Sequence, residues 1–256
     1  MSAGLRYDHY SNFGGTTNPR LGLIYHLFHP TTLKLLYGTA FRAPEPFEVT
    51  PGYGPFYDDN LGLKPETIRS VEVVLEQALG QHFKLSGSVF QNRIADLITL
   101  ETDPSNNQST YRNSGKARAT GAEIELDGQS AGGVKGTANY SYTSAQNGLT
   151  HETLSNSPAS LAKLNVIVPV VKQRIFASLD AQYTSPVQTL AGNALGGFSV
   201  FNVTLLGHTL GKHIDLSASV YNLFDKKYFD PGRPEDPEDA IQQNGRNFRI
   251  KLTGRF

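Results

Sequence analysis

The fold class predicted by the sequence is all-β, an antiparallel transmembrane β-barrel of about twelve strands. Three observations carry that prediction. Apolar and polar residues alternate with a period of two in segment after segment, which is the side-chain period of a strand. The connections between those segments are short and long by turns. The final segment has two sharply different faces: Phe248, Ile250, Leu252 and Phe256 point one way, and Asn247, Arg249, Lys251, Thr253 and Arg255 point the other.

Taken in chain order, strand-like sequence begins at 3–10 with Ala3, Leu5 and Tyr7. The same period, less pure, runs through 20–27, 32–41, 68–77 and 82–91. Segment 120–127 sets Ala122, Ile124 and Leu126 against Glu123, Glu125 and Asp127. Segment 134–143 sets Val134, Ala138, Tyr140 and Tyr142 against Lys135, Thr137, Asn139 and Ser141. A weaker stretch at 161–168 precedes 174–183, where Ile175, Ala177, Leu179, Ala181 and Tyr183 oppose Arg174, Ser178, Asp180 and Gln182. Segment 198–207 leads to 214–222, the cleanest, where Ile214, Leu216, Ala218 and Val220 alternate with Asp215, Ser217 and Ser219.

Tight turns are expected at 28–31, 79–82, 128–133, 169–173 and 210–213, and longer polar loops at 42–65, 101–115, 144–158, 184–196 and 224–246. Short turns on one side and long loops on the other is the periplasmic–extracellular asymmetry of an outer-membrane barrel. A last strand ending on Phe is typical of the same proteins. Phe248, Ile250, Leu252 and Phe256 are therefore the candidate signal for the barrel-assembly machinery, with the outer-membrane lipid as the other expected partner.

The composition agrees. Lys+Arg and Asp+Glu are both 23 in 256 residues, so no net field points to nucleic acid or an anionic surface. Cysteine is absent, which removes disulfides, Cys-ligated metals and thiol nucleophiles. Twenty-five Gly, 12 Tyr and 14 Phe with one Met favour strands and turns. No apolar run reaches the length of a membrane helix. A soluble β-sandwich also alternates, but its strands are shorter and its connections lack this regular asymmetry. Met1 is followed directly by strand sequence, with no basic and apolar leader, so the chain reads as a piece of a longer one.

Chemistry at neutral pH finds no footing, and neither enzyme activity nor a cofactor is expected. Gly128-Gln-Ser130-Ala-Gly132 spells a nucleophile elbow, but lies between two strands where that motif requires a strand-to-helix turn. The seven histidines, 9, 26, 29, 82, 151, 208 and 213, show no metal-ligand spacing. Asp58-Asp59-Asn60 resembles part of a calcium loop and reads as solvated loop. No metal is assigned.

Three segments in this order resemble the C-terminal part of a TonB-dependent outer-membrane receptor, over essentially the whole of 1–256. They are Tyr37-Gly-Thr-Ala-Phe41-Arg42-Ala43-Pro44, then Asn60-Leu-Gly-Leu-Lys64-Pro65-Glu66-Thr-Ile-Arg-Ser70-Val-Glu72, then Ser219-Val-Tyr221-Asn222-Leu223-Phe224-Asp225-Lys-Lys-Tyr228. Physically, Arg42-Ala-Pro44 ends a strand because Pro cannot donate to the ladder. Asn222 and Asp225 bracket a strand exit whose side chains can bond their own backbone.

The resemblance implies a barrel of about 22 strands enclosing a plug domain. It implies energised import of a scarce nutrient, with TonB as partner and a ferric siderophore, haem or cobalamin as cargo. The plug, the TonB motif and a signal peptide are expected to be absent from 1–256. Haem receptors carry a second Asn-Pro-Asn-Leu segment with an intervening His; Asp59-Asn60-Leu61-Gly62 replaces it here, so a ferric siderophore is preferred. Candidate ligand-loop residues are Arg42, Phe47, Tyr53, Phe56 and Tyr57, whose aromatics could stack on a cargo face. Glu72, Glu76, Glu123, Glu125, Arg174, Asp180, Asp215, Arg249 and Lys251 are expected to face a wide wet lumen. Tyr25, Tyr37, Tyr140, Tyr183 and Phe256 are expected outside. Strand 3–10 should present an open edge or close onto 247–256. The alternatives are a self-contained twelve-strand pore and a soluble β-sandwich binding module.

Overall fold

The computed structural model describes residues 1–50, 57–105, 107–171, 174–210, 213–233 and 236–254, with backbone alone at Tyr57, Asp58, Thr209 and Leu210. Twelve long strands form one antiparallel meander. They are β1 (Ser2–Tyr10), β2 (Gly14–Phe28), β3 (Thr31–Arg42), β4 (Glu66–Leu79), β5 (Phe83–Asp103) and β6 (Gln108–Gln129), followed by β7 (Lys135–Asn147), β8 (Ser160–Val171), β9 (Ile175–Thr184), β10 (Phe198–Leu210), β11 (Ile214–Tyr221) and β12 (Asn247–Gly254). Each pairs with its sequence neighbours, so the sheet is a continuous wall.

Register aligns the apolar residues into lateral rows. Leu23, Leu35, Val73, Val89, Ala122 and Tyr142 are successive partners across β2 to β7. Val166, Leu179, Val203, Val220 and Phe248 continue such a row to β12. The opposite face carries Lys34, Glu76, Glu123, Glu125, Lys163 and Asp180. Because the side-chain period is two, each row stays on its own face throughout.

The burial pattern is that of a membrane wall. Among the described residues only Leu63, at 3% exposure, and Ala117, at 9%, are buried hydrophobics. Phe248, Ile250 and Leu252 are 73%, 78% and 69% exposed. Apolar area left open on this scale costs roughly 25 cal/mol per Å² in water, and nothing in lipid. This removes the sandwich, which needs a dry core between two sheets. Tyr25, Tyr140 and Tyr183 are exposed on the apolar face, and half-buried Tyr37 shares a row with Leu21 and Val71. Phe256 lies outside the described residues.

Several boundaries differ from those expected. The loop expected over 101–115 is strand up to Asp103 and again from Gln108, so β5 and β6 run 21 and 22 residues. Residues 101–103 and 108–110 are polar on both faces, so their alternation leaves no hydropathy trace. The pairing of this arm shows instead in cross-strand hydroxyl contacts, Thr99 with Ser114 at 2.6 Å and Thr102 with Ser109 at 2.8 Å. β2 begins at Gly14 where 20 was expected, and the 144–158 loop is shortened because β7 continues to Asn147. The inner face is also less uniformly polar than expected: Ile24, Leu36, Val74 and Phe90 stand among its charges.

Phe90 explains one glycine. Its ring lies over Gly121 on the neighbouring strand, and a Cβ there would strike both that ring and the Tyr142 carbonyl. Of the two outcomes expected for strand 3–10, the open edge is the one found: neither β1 nor β12 has a partner on its outer side among the described residues.

Candidate functional site

The long connections, and the short Ser11–Phe13 turn, lie at the end of the sheet opposite the tight turns. Two constructions stand there, one at each half of the wall.

The first is a charged knot where β3 ends and β4 begins. Arg42 Nε and Nη2 donate to the Glu66 carboxylate at 2.6 and 2.8 Å. Its Nη1 and Nη2 donate to Glu48 at 2.9 Å each. One planar fork thus serves two carboxylates, the geometry for which guanidinium is suited and ammonium is not. Arg42 holds the Glu66 carboxyl below the usual range, and the Ile98 N–H donated to Glu66 adds to this. Glu48 is buried and sits in a one-turn helix, Pro46–Val49; it also accepts the Glu45 N–H at 2.7 Å.

The knot anchors the loop 43–65, whose far side is pinned to the β5–β6 arm. Asn60 Nδ2 donates to the Tyr111 carbonyl at 2.9 Å, and the Asn60 side-chain Oδ1 accepts the Gly62 N–H. Asn113 bonds Lys64 through both the N–H and the carbonyl, at 2.8 Å each. Tyr57–Asp58 adds a short parallel bridge to Ser109 and Thr110.

Of the candidate ligand-loop residues, the structure gives Arg42 to the knot and stands Phe47 edge-on against Tyr111, with centroids 6.0 Å apart. Tyr53 and Phe56 lie outside the described residues, as does the Tyr57 side chain.

The second construction is a recess of about 610 Å³ on the polar face, beneath the last long loops. Gln182, Asn202, Asn222, Asn244 and Asn247 line it with carbonyl and amide groups, Arg249 with a guanidinium and Asp230 with a carboxylate. Arg249 lies 5.6 Å over the Tyr221 ring. Phe198 and Tyr228 stack at 4.3 Å beside it, and burial pushes the Tyr228 hydroxyl pKa up.

Asn222 is the hub. It takes a left-handed φ of 49° and is 3% exposed. Its side chain accepts the Lys226 N–H at 2.8 Å and donates to the Lys226 and Asn244 carbonyls, while its own N–H donates to Asn202 at 2.9 Å. The two loops above are clasped together by Asp239, which accepts from Thr189 at 2.7 Å and Asn193 at 2.9 Å. Those bonds, Asn193 first and then Thr189, hold the Asp239 carboxyl below the usual range.

Sequence reasoning anticipated the strand exit at Asn222 but not this recess. Period two does place Gln182, Asn202, Asn247 and Arg249 on the polar face; which loops fold over them leaves no local signal. Among the lumen-side charges, Glu76 pairs with Lys34 at 2.7 Å and Lys84 at 2.8 Å, and Asp215 contacts His208 at 3.0 Å.

A wall that is apolar on one face, charged and amide-rich on the other, and without a core between sheets defines an outer-membrane β-barrel. Residues 1–223 match the family described as TonB dependent receptor-like, beta-barrel, and the chain belongs to that family. It is 29% identical over 262 residues to the iron-regulated outer membrane virulence protein of Vibrio cholerae serotype O1, covering 92% of this chain and 40% of that one. With the ferric enterobactin receptor of Pseudomonas aeruginosa it shares 26% identity over 299 residues, covering 100% and 40%.

Among solved structures, a G324V mutant of that ferric enterobactin receptor superposes with a TM-score of 0.83 at 22% identity, over 99% of this chain and 42% of that one. The siderophore receptor PirA of Acinetobacter baumannii superposes with a TM-score of 0.82 at 19% identity, over 99% and 43%. The chain therefore spans about two fifths of the length of the relatives it matches.

Proposed function

We propose that this chain supplies about half the wall of an energy-coupled outer-membrane importer for a small iron-bearing cargo, a ferric siderophore. The observation that carries the reading is the polar, amide-lined inner face under clasped external loops, in a wall whose other face fits lipid. Relatives are named as a ferric enterobactin receptor, a heme/hemopexin utilization protein and a vitamin B12 transporter, which supports the reading. The recess offers neutral hydrogen-bonding groups, the Arg249 guanidinium and the Asp230 carboxylate, suited to a polar, oxygen-rich chelate.

Residues 1–256 act as a partial barrel domain. The bare edges of β1 and β12 support this, because an unpaired backbone group in lipid costs several kcal/mol. About ten further strands and a plug would complete a barrel of about 22. Loop 43–65 presents Phe47, with Tyr53, Phe56 and Tyr57 as further cargo contacts, on a base held by Arg42. TonB drives release, and the barrel-assembly machinery reads Phe248, Ile250, Leu252 and Phe256. The work is binding and gating, with no covalent step and no cofactor.

The test is accumulation of radiolabelled iron as ferric enterobactin in iron-starved cells carrying the receptor that contains this wall, with and without a proton uncoupler. Uncoupler-sensitive accumulation is expected. Accumulation equal to that of cells lacking the receptor sinks the import reading, and steady ion conductance by the chain alone in a planar bilayer would favour the self-contained pore.

A further inference from the structure

Register brings three arginines together on the apolar face. Arg69 on β4 is the direct partner of Arg93 on β5, and Arg93 is the direct partner of Arg118 on β6. Arg69 shares its face with Val71 and Val73, Arg93 with Val89, and Arg118 with Ala122 and Ile124. All three side chains are exposed. The row crosses the wall just on the loop side of that apolar band, where the strands leave it toward the long connections. Beneath it, Val71, Val89, Ile124 and Tyr142 lie open for acyl chains.

Like charges directly opposite each other destabilise a sheet, so two such pairs in succession need compensation. The protein does not supply it: among the described residues, no salt bridge involves Arg69, Arg93 or Arg118. Among the described residues, Arg93 alone of the three has a side-chain partner, donating to the neutral Gln91 at 2.8 Å. Beside the row is a recess of about 510 Å³, lined by Tyr37, Thr67 and Ala95 together with Arg69 and Arg93. Guanidinium forks match phosphate oxygens in pairs.

We propose that Arg69, Arg93 and Arg118 form a docking site for the phosphate groups of an anionic lipid of the outer leaflet, with the lipid's chains lying on the apolar wall below. Charge complementarity selects the occupant: a zwitterionic head group brings a cation of its own into a row that already has three. Simple snorkelling to water would anchor single arginines equally well and would not require them to be adjacent.

The proposal rests on the barrel wall and not on the imported cargo. The full chain in neutral detergent micelles is mixed with phosphatidic acid or with phosphatidylcholine of the same chains, and retained lipid is counted by native mass spectrometry. The wild-type protein should retain phosphatidic acid in preference by roughly tenfold, the size of one or two charge-assisted bonds.

The triple variant R69Q/R93Q/R118Q should lose that preference, and the triple Arg→Lys variant should keep part of it. Single R93Q, which relieves both repulsive pairs, should melt higher than wild type in neutral detergent and lower in phosphatidic acid. This readout holds if the triple variant fails to fold. Equal retention of the two lipids by wild type, or R93Q shifting the same way in both media, overturns the site. Neither readout involves cargo, so the site and the import reading fail separately.

Discussion

Arg42 shows how one residue can look like a ligand contact in sequence and act as a joint in the fold. Its four donated bonds tie a buried carboxylate in the 43–65 loop to the first residue of β4. Arg42→Gln should loosen that loop by roughly 1–2 kcal/mol, a modest figure because the guanidinium is partly exposed. Limited proteolysis within 43–65 should quicken accordingly, and an unchanged cleavage rate would rule the joint out.

Asn222 is a sharper case, since its φ and its bonds can be separated. Asn222→Ala should cost about 1–3 kcal/mol, and Asn222→Gly should recover up to about 1 of them by relieving the left-handed backbone. Asp239 carries the pH dependence. Its folded value is depressed, so the clasp contributes fully above the ordinary carboxylate range and is lost as pH falls through the depressed value. Cleavage of the 185–197 loop should stay flat from neutral pH to about 5 and rise only below about 4. Asp239→Asn should be cleaved faster than wild type at neutral pH, with no further change on acidification.

At the scale of elements, what could be read in advance follows hydropathy. All twelve strands were foreseeable, because lipid on one side and water on the other stamp a period-two signal on each. Where both faces meet water the signal vanishes, which is why the outer arm of β5 and β6 reads as loop. The recess under the last loops was not legible for a different reason: it joins Gln182, Asn222 and Asn244 from three segments, which strand register and the Asn222–Asn244 bond bring together. The same blindness hid the arginine row. A net charge of zero and residues some 25 positions apart give no local signal, yet pairing sets them side by side. Gly121 tests the sheet itself: Gly121→Val should push β6 away from Phe90 and the Tyr142 carbonyl, and lower folding yield more than Gly4→Val, where a Cβ meets nothing.

For the whole molecule, the two faces should respond oppositely to charge. Leu205→Arg places a cation on the lipid side, where a midplane charge costs about 2–4 kcal/mol. Asn139→Arg places the same cation on the wet side, where it should cost little. Urea unfolding of the protein in lipid vesicles checks the contrast; equal losses would sink it, and a larger loss at Asn139 would reverse the assignment of inside and outside.

The paired arm of β5 and β6 gives the cell a fixed external landmark. From Arg93 to Asp103 it continues ten residues past the arginine row, a reach of roughly 33 Å before tilt at 3.3 Å per residue. Its pairing runs through to Asp103 and Gln108, with register irregularities between Ile94 and Ile98. Antibodies, phages and surface sugars approaching from outside would meet its tip. A fluorophore attached at Ser105 would report arrival at the cell surface in intact cells, with no need to engage the interior of the barrel.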